Sequence, residues 1–138
     1  VDTLEPAVDW NKLPAAVDAI ESSLREAIPD LPVHVFTHMS HIYPQGASIY
    51  TTYVFPNAPT YEETLGYWNI LKPAVSKAVV ASGGTISHQH GVGRDHAPYL
   101  EAEKGRLGMD AIRALQQHFD EDDVLNPGIL IPEGENEE

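Results

Sequence analysis

Seven histidines stand in a chain of 138 residues, and five of them fall in two groups. His34, His38 and His41 lie in VHVFTHMSHI, and His88 and His90 lie in SHQHGVG. Imidazole exchanges protons near neutral pH and ligates zinc or iron, so either group is a candidate for acid–base or metal chemistry. In the second group Gly91 and Gly93 follow at once, and residues without a Cβ let the backbone approach a flat ligand closely. That arrangement suits proton transfer beside a cofactor. Tyr50 joins the candidates because a phenol in a strand of apolar and hydroxyl residues can act as acid or base when a histidine tunes it. Arg94 and His41 are the candidates for contact with the substrate.

Other chemistries are poorly served. HxxH followed by HxH can bring three imidazoles together, but no carboxylate accompanies either group along the chain. Gln89 stands where one would be useful, and an amide is a poor ligand for zinc or iron. No metal is therefore expected. GVG without the rest of GxGxxG, with Ala97 and Pro98 following, excludes a dinucleotide fingerprint. Ser87 sits beside His88 without a GxSxG elbow, and neighbours on a strand point to opposite faces, which disfavours a serine hydrolase. With no cysteine, disulfides, thiolate sites and thiol nucleophiles are excluded.

These side chains need elements to hold them. Asp9 or Asn11 is expected to cap a first helix, along which Leu13, Val17, Ile20, Leu24 and Ile28 recur at helical spacing until Pro29. Residues 33–42 alternate on a two-residue period and 46–55 are rich in β-branched and aromatic types, so YPQG reads as a hairpin turn. Thr60 and Glu63 form a capping box for a second helix through Leu65, Trp68, Leu71, Val75 and Val79. Pro73 should kink or divide that helix, and Gly83 and Gly84 should end it. TIS at 85–87 reads as a short strand. Pro98 is expected to open a helical turn through Glu103, and Met109, Ile112, Leu115 and Phe119 mark a final helix. The pattern predicts an α+β fold, an antiparallel sheet with helices on one face (a ferredoxin-like cap), followed by a C-terminal helical segment.

Length and 42% hydrophobic content allow one core. Eight basic residues against 21 acidic ones leave a net charge of −13, which repels a phosphate backbone, so no nucleic-acid partner is expected. So acidic a surface with only four lysines also suits a protein working at high salt. Neither a membrane span nor a targeting segment is visible, and a cytoplasmic location is the expectation. A chain that opens on Val1 with VDTLEPAVDW looks like a domain cut from a longer protein.

The order of HMSHIYPQGASIY, a long helix, GGTISHQHGVGRD, a terminal helix and LNPGILIP resembles the C-terminal region of FAD-linked oxidases of the vanillyl-alcohol oxidase superfamily. The similarity is closest to the branch of alkyldihydroxyacetonephosphate synthase-like proteins, and it covers nearly the whole chain. It implies that Tyr50 matches the family's acid–base tyrosine and that Ser87, His88, Gln89 and His90 match its histidine-rich triplet, with Gln89 replacing the middle histidine. The 2-hydroxy-acid dehydrogenase branch carries two histidines and a glutamate as a metal set. His41 matches the first of these, but Tyr50 and Gln89 stand in place of the other two.

The resemblance also implies FAD, bound mainly by an N-terminal domain that this chain does not contain, with Asn126 of LNPG and the backbone at Gly91 and Gly93 returning toward the flavin. Residues 1–84 then form a partial substrate or cap domain. Residues 85–132 carry the histidine loop, terminal helix and flavin-facing segment, and 133–138 a disordered acidic tail. Expected partners are a small-molecule substrate, the N-terminal FAD-binding domain and a second copy in a homodimer. Two alternatives stay open: a non-catalytic scaffold or interaction domain, and a small histidine-ligated metalloprotein.

Overall fold

The computed structural model describes residues 1–132. Nine-residue strands β3 (His34–Ile42) and β4 (Gly46–Val54) form the hairpin, and Tyr43 N–H closes it on the Gly46 carbonyl at 2.8 Å. Two three-residue strands precede them, β1 (Asp2–Leu4) and β2 (Ala7–Asp9). Both pair antiparallel with β4, β1 opposite Thr51–Tyr53 and β2 opposite Gly46–Ser48. Because β3 lines the other edge of β4, β1 and β2 act as one strand interrupted at Glu5 and Pro6. Sequence reading missed them, since three residues are too few to show a period.

Helix α1 (Leu13–Glu26) starts at Lys12 without a side-chain cap, so neither Asp9 nor Asn11 has the expected role. Asp9 instead ends β2, and its carbonyl accepts from Lys12 N–H at 3.0 Å. Helix α2 (Tyr61–Ala81) has the capping box: Glu63 N–H donates to Thr60 Oγ1, and the Glu63 carboxylate accepts from Thr60 N–H, both at 3.2 Å. It runs through Pro73 as one helix. Both helices cover one face of the sheet, and Leu4, Val8, Ala16, Ile20, Leu24, Val35, Ile49, Tyr53, Leu71, Val75 and Val79 meet in the core between them. The α+β architecture, an antiparallel sheet with helices, is the expected one.

Two contacts fix the sheet edge. A Cβ on Gly46 would stand 1.9 Å from the Val8 carbonyl oxygen, so only glycine lets β2 approach β4. At the other end, Asp2 accepts from Tyr53 Oη, Trp68 Nε1 and Lys72 Nζ at 2.8, 2.8 and 3.1 Å, pinning β1 to α2.

After α2, Gly83 takes φ 65 and the chain turns back along β2. The TIS segment is a single bridge, Thr85 to Ala7, not a strand. A short helix α3 (Gly93–His96), a 3-10 turn (Ala97–Tyr99) and helix α4 (Leu100–Phe119) follow. Gly105, with φ 68 and ψ 164, breaks α4 where sequence reading separated a helical turn from the final helix. No helix among the described residues is long and apolar enough to cross a membrane. The acidic tail assigned to 133–138 lies outside the described residues.

Candidate active site

Alternation along β1 sends Leu4 into the helix-covered core and turns the next residue, Glu5, to the opposite face. There Glu5 is 4% exposed, and its carboxylate becomes the centre of the site. Glu5 Oε1 lies 3.2 Å from His41 Nδ1 and 3.2 Å from His88 Nδ1. Its second oxygen, Oε2, lies 3.0 Å from His90 Nε2. Ser40 Oγ donates a short hydrogen bond to Oε1 and stands 2.6 Å from Ser48 Oγ. Burial alone would raise the carboxyl pKa, but hydrogen bonds from Ser40, His88, Ser48 and His41 outweigh it and lower the group to about 2. Glu5 is therefore a buried anion at neutral pH.

Two separate elements deliver the histidines, β3 and the loop after α2. On β3, the register shifts between Met39 and Ile42, and this bulge lets Ser40 and His41 both reach Glu5. Without it His41 would sit opposite His38. In the loop, His88 N–H donates to the Glu5 carbonyl at 2.7 Å, which ties the histidine segment to the β1–β2 connection. Gln89 adopts φ 62, a left-handed kink that turns both His88 and His90 toward the same carboxylate. Glu103 of α4 braces the start of the loop, accepting from Thr85 Oγ1 at 2.8 Å and Ile86 N–H at 3.0 Å.

Tyr50 projects from β4 beside this cluster. Its ring stacks on His38 at 5.2 Å, and His90 meets it edge-on at 5.5 Å. Tyr43, absent from the sequence candidates, lies at the hairpin end, with its hydroxyl 2.9 Å from His88 Nε2. Tyr50, His41, His88 and His90 are thus brought together. Arg94 lies apart, exposed at the start of α3, and donates to the Pro127 carbonyl at 3.3 Å. That bond joins the histidine loop to the LNPG turn, where Asn126 is exposed with φ 54. Asp120 holds the same turn through the amides of Val124 and Leu125 at 3.0 and 2.7 Å.

The premise that no carboxylate accompanies the histidines is overturned by Glu5, which is 36 residues from His41 and 83 from His88 along the chain. Glu5, His41 and His88 place ligand-type atoms within 4.8 Å of one another, a spacing open to a cation. As they stand, these atoms serve each other as hydrogen-bond partners. Gly91 and Gly93 take φ 73 and 60 and have open space where a Cβ would stand, so the loop presents bare backbone outward.

Comparison with known proteins gives the family and the fold. The family model described as FAD linked oxidases, C-terminal domain, matches residues 1–130. Alkyldihydroxyacetonephosphate synthase of Dictyostelium discoideum is 26% identical over 134 residues, 96% of this chain and 22% of that protein. Glycolate oxidase subunit GlcD of Bacillus subtilis is 44% identical over 57 residues, 41% of this chain and 12% of that protein. A solved structure of alkyldihydroxyacetonephosphate synthase superposes with a TM-score of 0.58 at 18% identity, covering 91% of this chain and 20% of that one. The fold is therefore shared, and the chain spans about a fifth of the length of the synthase it matches.

Proposed function

The chain belongs to the FAD linked oxidases, C-terminal domain, family, and from that premise we propose that it is the substrate-side part of an FAD-dependent oxidoreductase or transferase in which Tyr50, His88 and His90 move protons at the substrate. The observation that carries the reading is the meeting of Tyr50, His90, His88 and buried Glu5 on the sheet face that α1 and α2 leave uncovered. Bound FAD supplies the electron acceptor for such a reaction. Gly91, Gly93 and the Asn126 turn are the parts of this chain that would lie against it, and most of its binding falls to an N-terminal domain of the same protein.

In support of an acid or base role for Tyr50, its ring lies between two imidazoles, His38 by stacking and His90 edge-on. His90 in turn is oriented by Glu5 Oε2. A proton taken up by the Tyr50–His90 pair is stabilised by the carboxylate anion behind it. His41 would contact the substrate, while Arg94 is committed to the Pro127 carbonyl at the LNPG turn. Oxidation of a 2-hydroxy acid and an ether-forming exchange are the two reactions this reading covers, since similarity over nearly the full chain extends to a synthase and to a D-2-hydroxyglutarate dehydrogenase alike.

The full-length protein is expected to be yellow, with flavin absorption, and to lose turnover with Tyr50→Phe or His90→Ala by about 100-fold or more. Colourless full-length protein, or unchanged turnover in both variants, would overturn the reading. The 138-residue chain alone is expected to show no turnover and only weak FAD binding.

A further inference from the structure

We infer that Glu5, His88 and Tyr43 form a proton relay in which Glu5 holds the His88 ring with its proton on Nδ1, leaving Nε2 to accept the proton of the Tyr43 hydroxyl. The inference rests on the reading above and adds a second phenol to the site. His88 Nδ1 faces Glu5 Oε1 at 3.2 Å, and an ionised carboxylate only accepts, so the proton on this contact belongs to Nδ1. Neutral imidazole then keeps a lone pair on Nε2, and the group opposite it, at 2.9 Å, is the Tyr43 hydroxyl. The order carboxylate, imidazole, hydroxyl is the one by which a buried acid fixes a tautomer and a ring nitrogen activates a hydroxyl.

Each member is held in place. The Glu5 side chain is 3% exposed and that of His88 15%. The His88 backbone is bonded to the Glu5 carbonyl, so ring and carboxylate move together. Trp10 Nε1 donates to the Tyr43 carbonyl at 3.1 Å and fixes the hairpin end that carries the phenol. Tyr43 itself is 41% exposed, which makes its hydroxyl the outward end of the relay. The other titratable groups facing His88 are His41, with ring centroids 5.0 Å apart, and His90 across the Glu5 carboxylate.

The proton steps balance. Tyr43 oxygen takes a proton from a substrate hydroxyl as its own passes to His88 Nε2. One O–H bond breaks on the substrate and one forms on Tyr43, while the original Tyr43 O–H breaks and an N–H forms on His88. The imidazolium is held against Glu5, which stays ionised, and the substrate is left as an alkoxide. Tyr50 and His90 then act from the other carboxylate oxygen, so the two phenols are served by different histidines.

The direct test is long-range proton–nitrogen NMR on the 15N-labelled 138-residue chain at neutral pH. His88 is expected as the Nδ1-protonated tautomer, the less common form of free histidine. Tyr43→Phe should keep that tautomer and move the Nε2 resonance, whereas Glu5→Gln should lose it. A His88 protonated on Nε2, or a doubly protonated ring, would overturn the relay. So would one equivalent of added zinc displacing the Nδ1 proton. In the full-length flavoprotein, Tyr43→Phe is expected to lower kcat about 100-fold and alter the pH profile, leaving KM and the flavin spectrum unchanged. Wild-type kcat in Tyr43→Phe beside an inactive Tyr50→Phe would sink the relay alone. Full activity in both would remove the relay and the functional reading together.

Discussion

Glu5 and His88 are joined twice: His88 N–H donates to the Glu5 carbonyl at 2.7 Å, and His88 Nδ1 lies 3.2 Å from the Glu5 carboxylate. Backbone and side chain thus report the same contact, so the histidine loop docks on the strand edge at one point. Replacing Glu5 by alanine leaves Ser40, His41, His88 and His90 without their shared acceptor. Loss of a buried acceptor that several groups share should cost about 2 to 4 kcal/mol, read as a lower urea midpoint with unchanged slope. An unchanged midpoint would show that the cluster is not formed in solution.

The same carboxylate makes stability depend on pH. Its folded value of about 2 lies below the unfolded reference of 4.5, so its contribution is fully present above pH 4.5 and is lost as pH falls toward 2. Asp2 and Glu103 are lowered as well and add to the trend. Comparing urea unfolding of the native chain with Glu5→Gln isolates the Glu5 share. The gap between the two should shrink as pH drops from 5 to about 2; a gap that stays constant refutes the assignment.

Gly46 is expected to tolerate no side chain. Gly46→Ala places a Cβ 1.9 Å from the Val8 carbonyl and must push β2 away from β4, with a loss of about 3 kcal/mol. Because β2 precedes Trp10 and follows Glu5, amide protection at Val8 and Asp9 should fall first in hydrogen exchange.

Lys72 is 6% exposed and reaches Asp2 Oδ2 and the Thr3 carbonyl at 3.1 and 3.2 Å. Lys72→Met should destabilise by about 2 kcal/mol, less than for a fully enclosed pair because Asp2 is part-exposed and retains Trp68 and Tyr53. Burial and, after it, the Lys72 charge hold the His96 imidazole below its usual range. In Lys72→Met the His96 titration followed by NMR should move up but stay below the ordinary value, since burial remains. No movement would place Lys72 too far away to act.

Much was legible wherever the deciding interaction is local. Thr60 and Glu63 announce the start of α2 because a capping box closes within four residues, and the alternation of β3 and the β-rich run of β4 predict the hairpin. Tyr50, His88 and His90 were identified by type and by resemblance, and the structure sets them together. Glu5 and Tyr43 were missed for the same reason: neither carries a local signal, and each meets its histidine partner only across 83 or 45 residues of chain. Pro73 misled in the other direction: α2 continues through it as one helix, with Leu71, Val75 and Val79 buried on either side of it.

By itself the sequence determined the two long helices and the hairpin, the single α+β core, the family likeness and the side chains capable of proton transfer. Tertiary structure alone decided which carboxylate serves them. Strand pairing places Glu5 between β1 and β2, the bulge on β3 swings His41 round to it, and the left-handed turn at Gln89 aims both loop histidines inward. A helix or strand period reaches only a few residues along the chain. The convergence of four side chains on one buried anion depends instead on register, a bulge and loop docking, which no local pattern encodes.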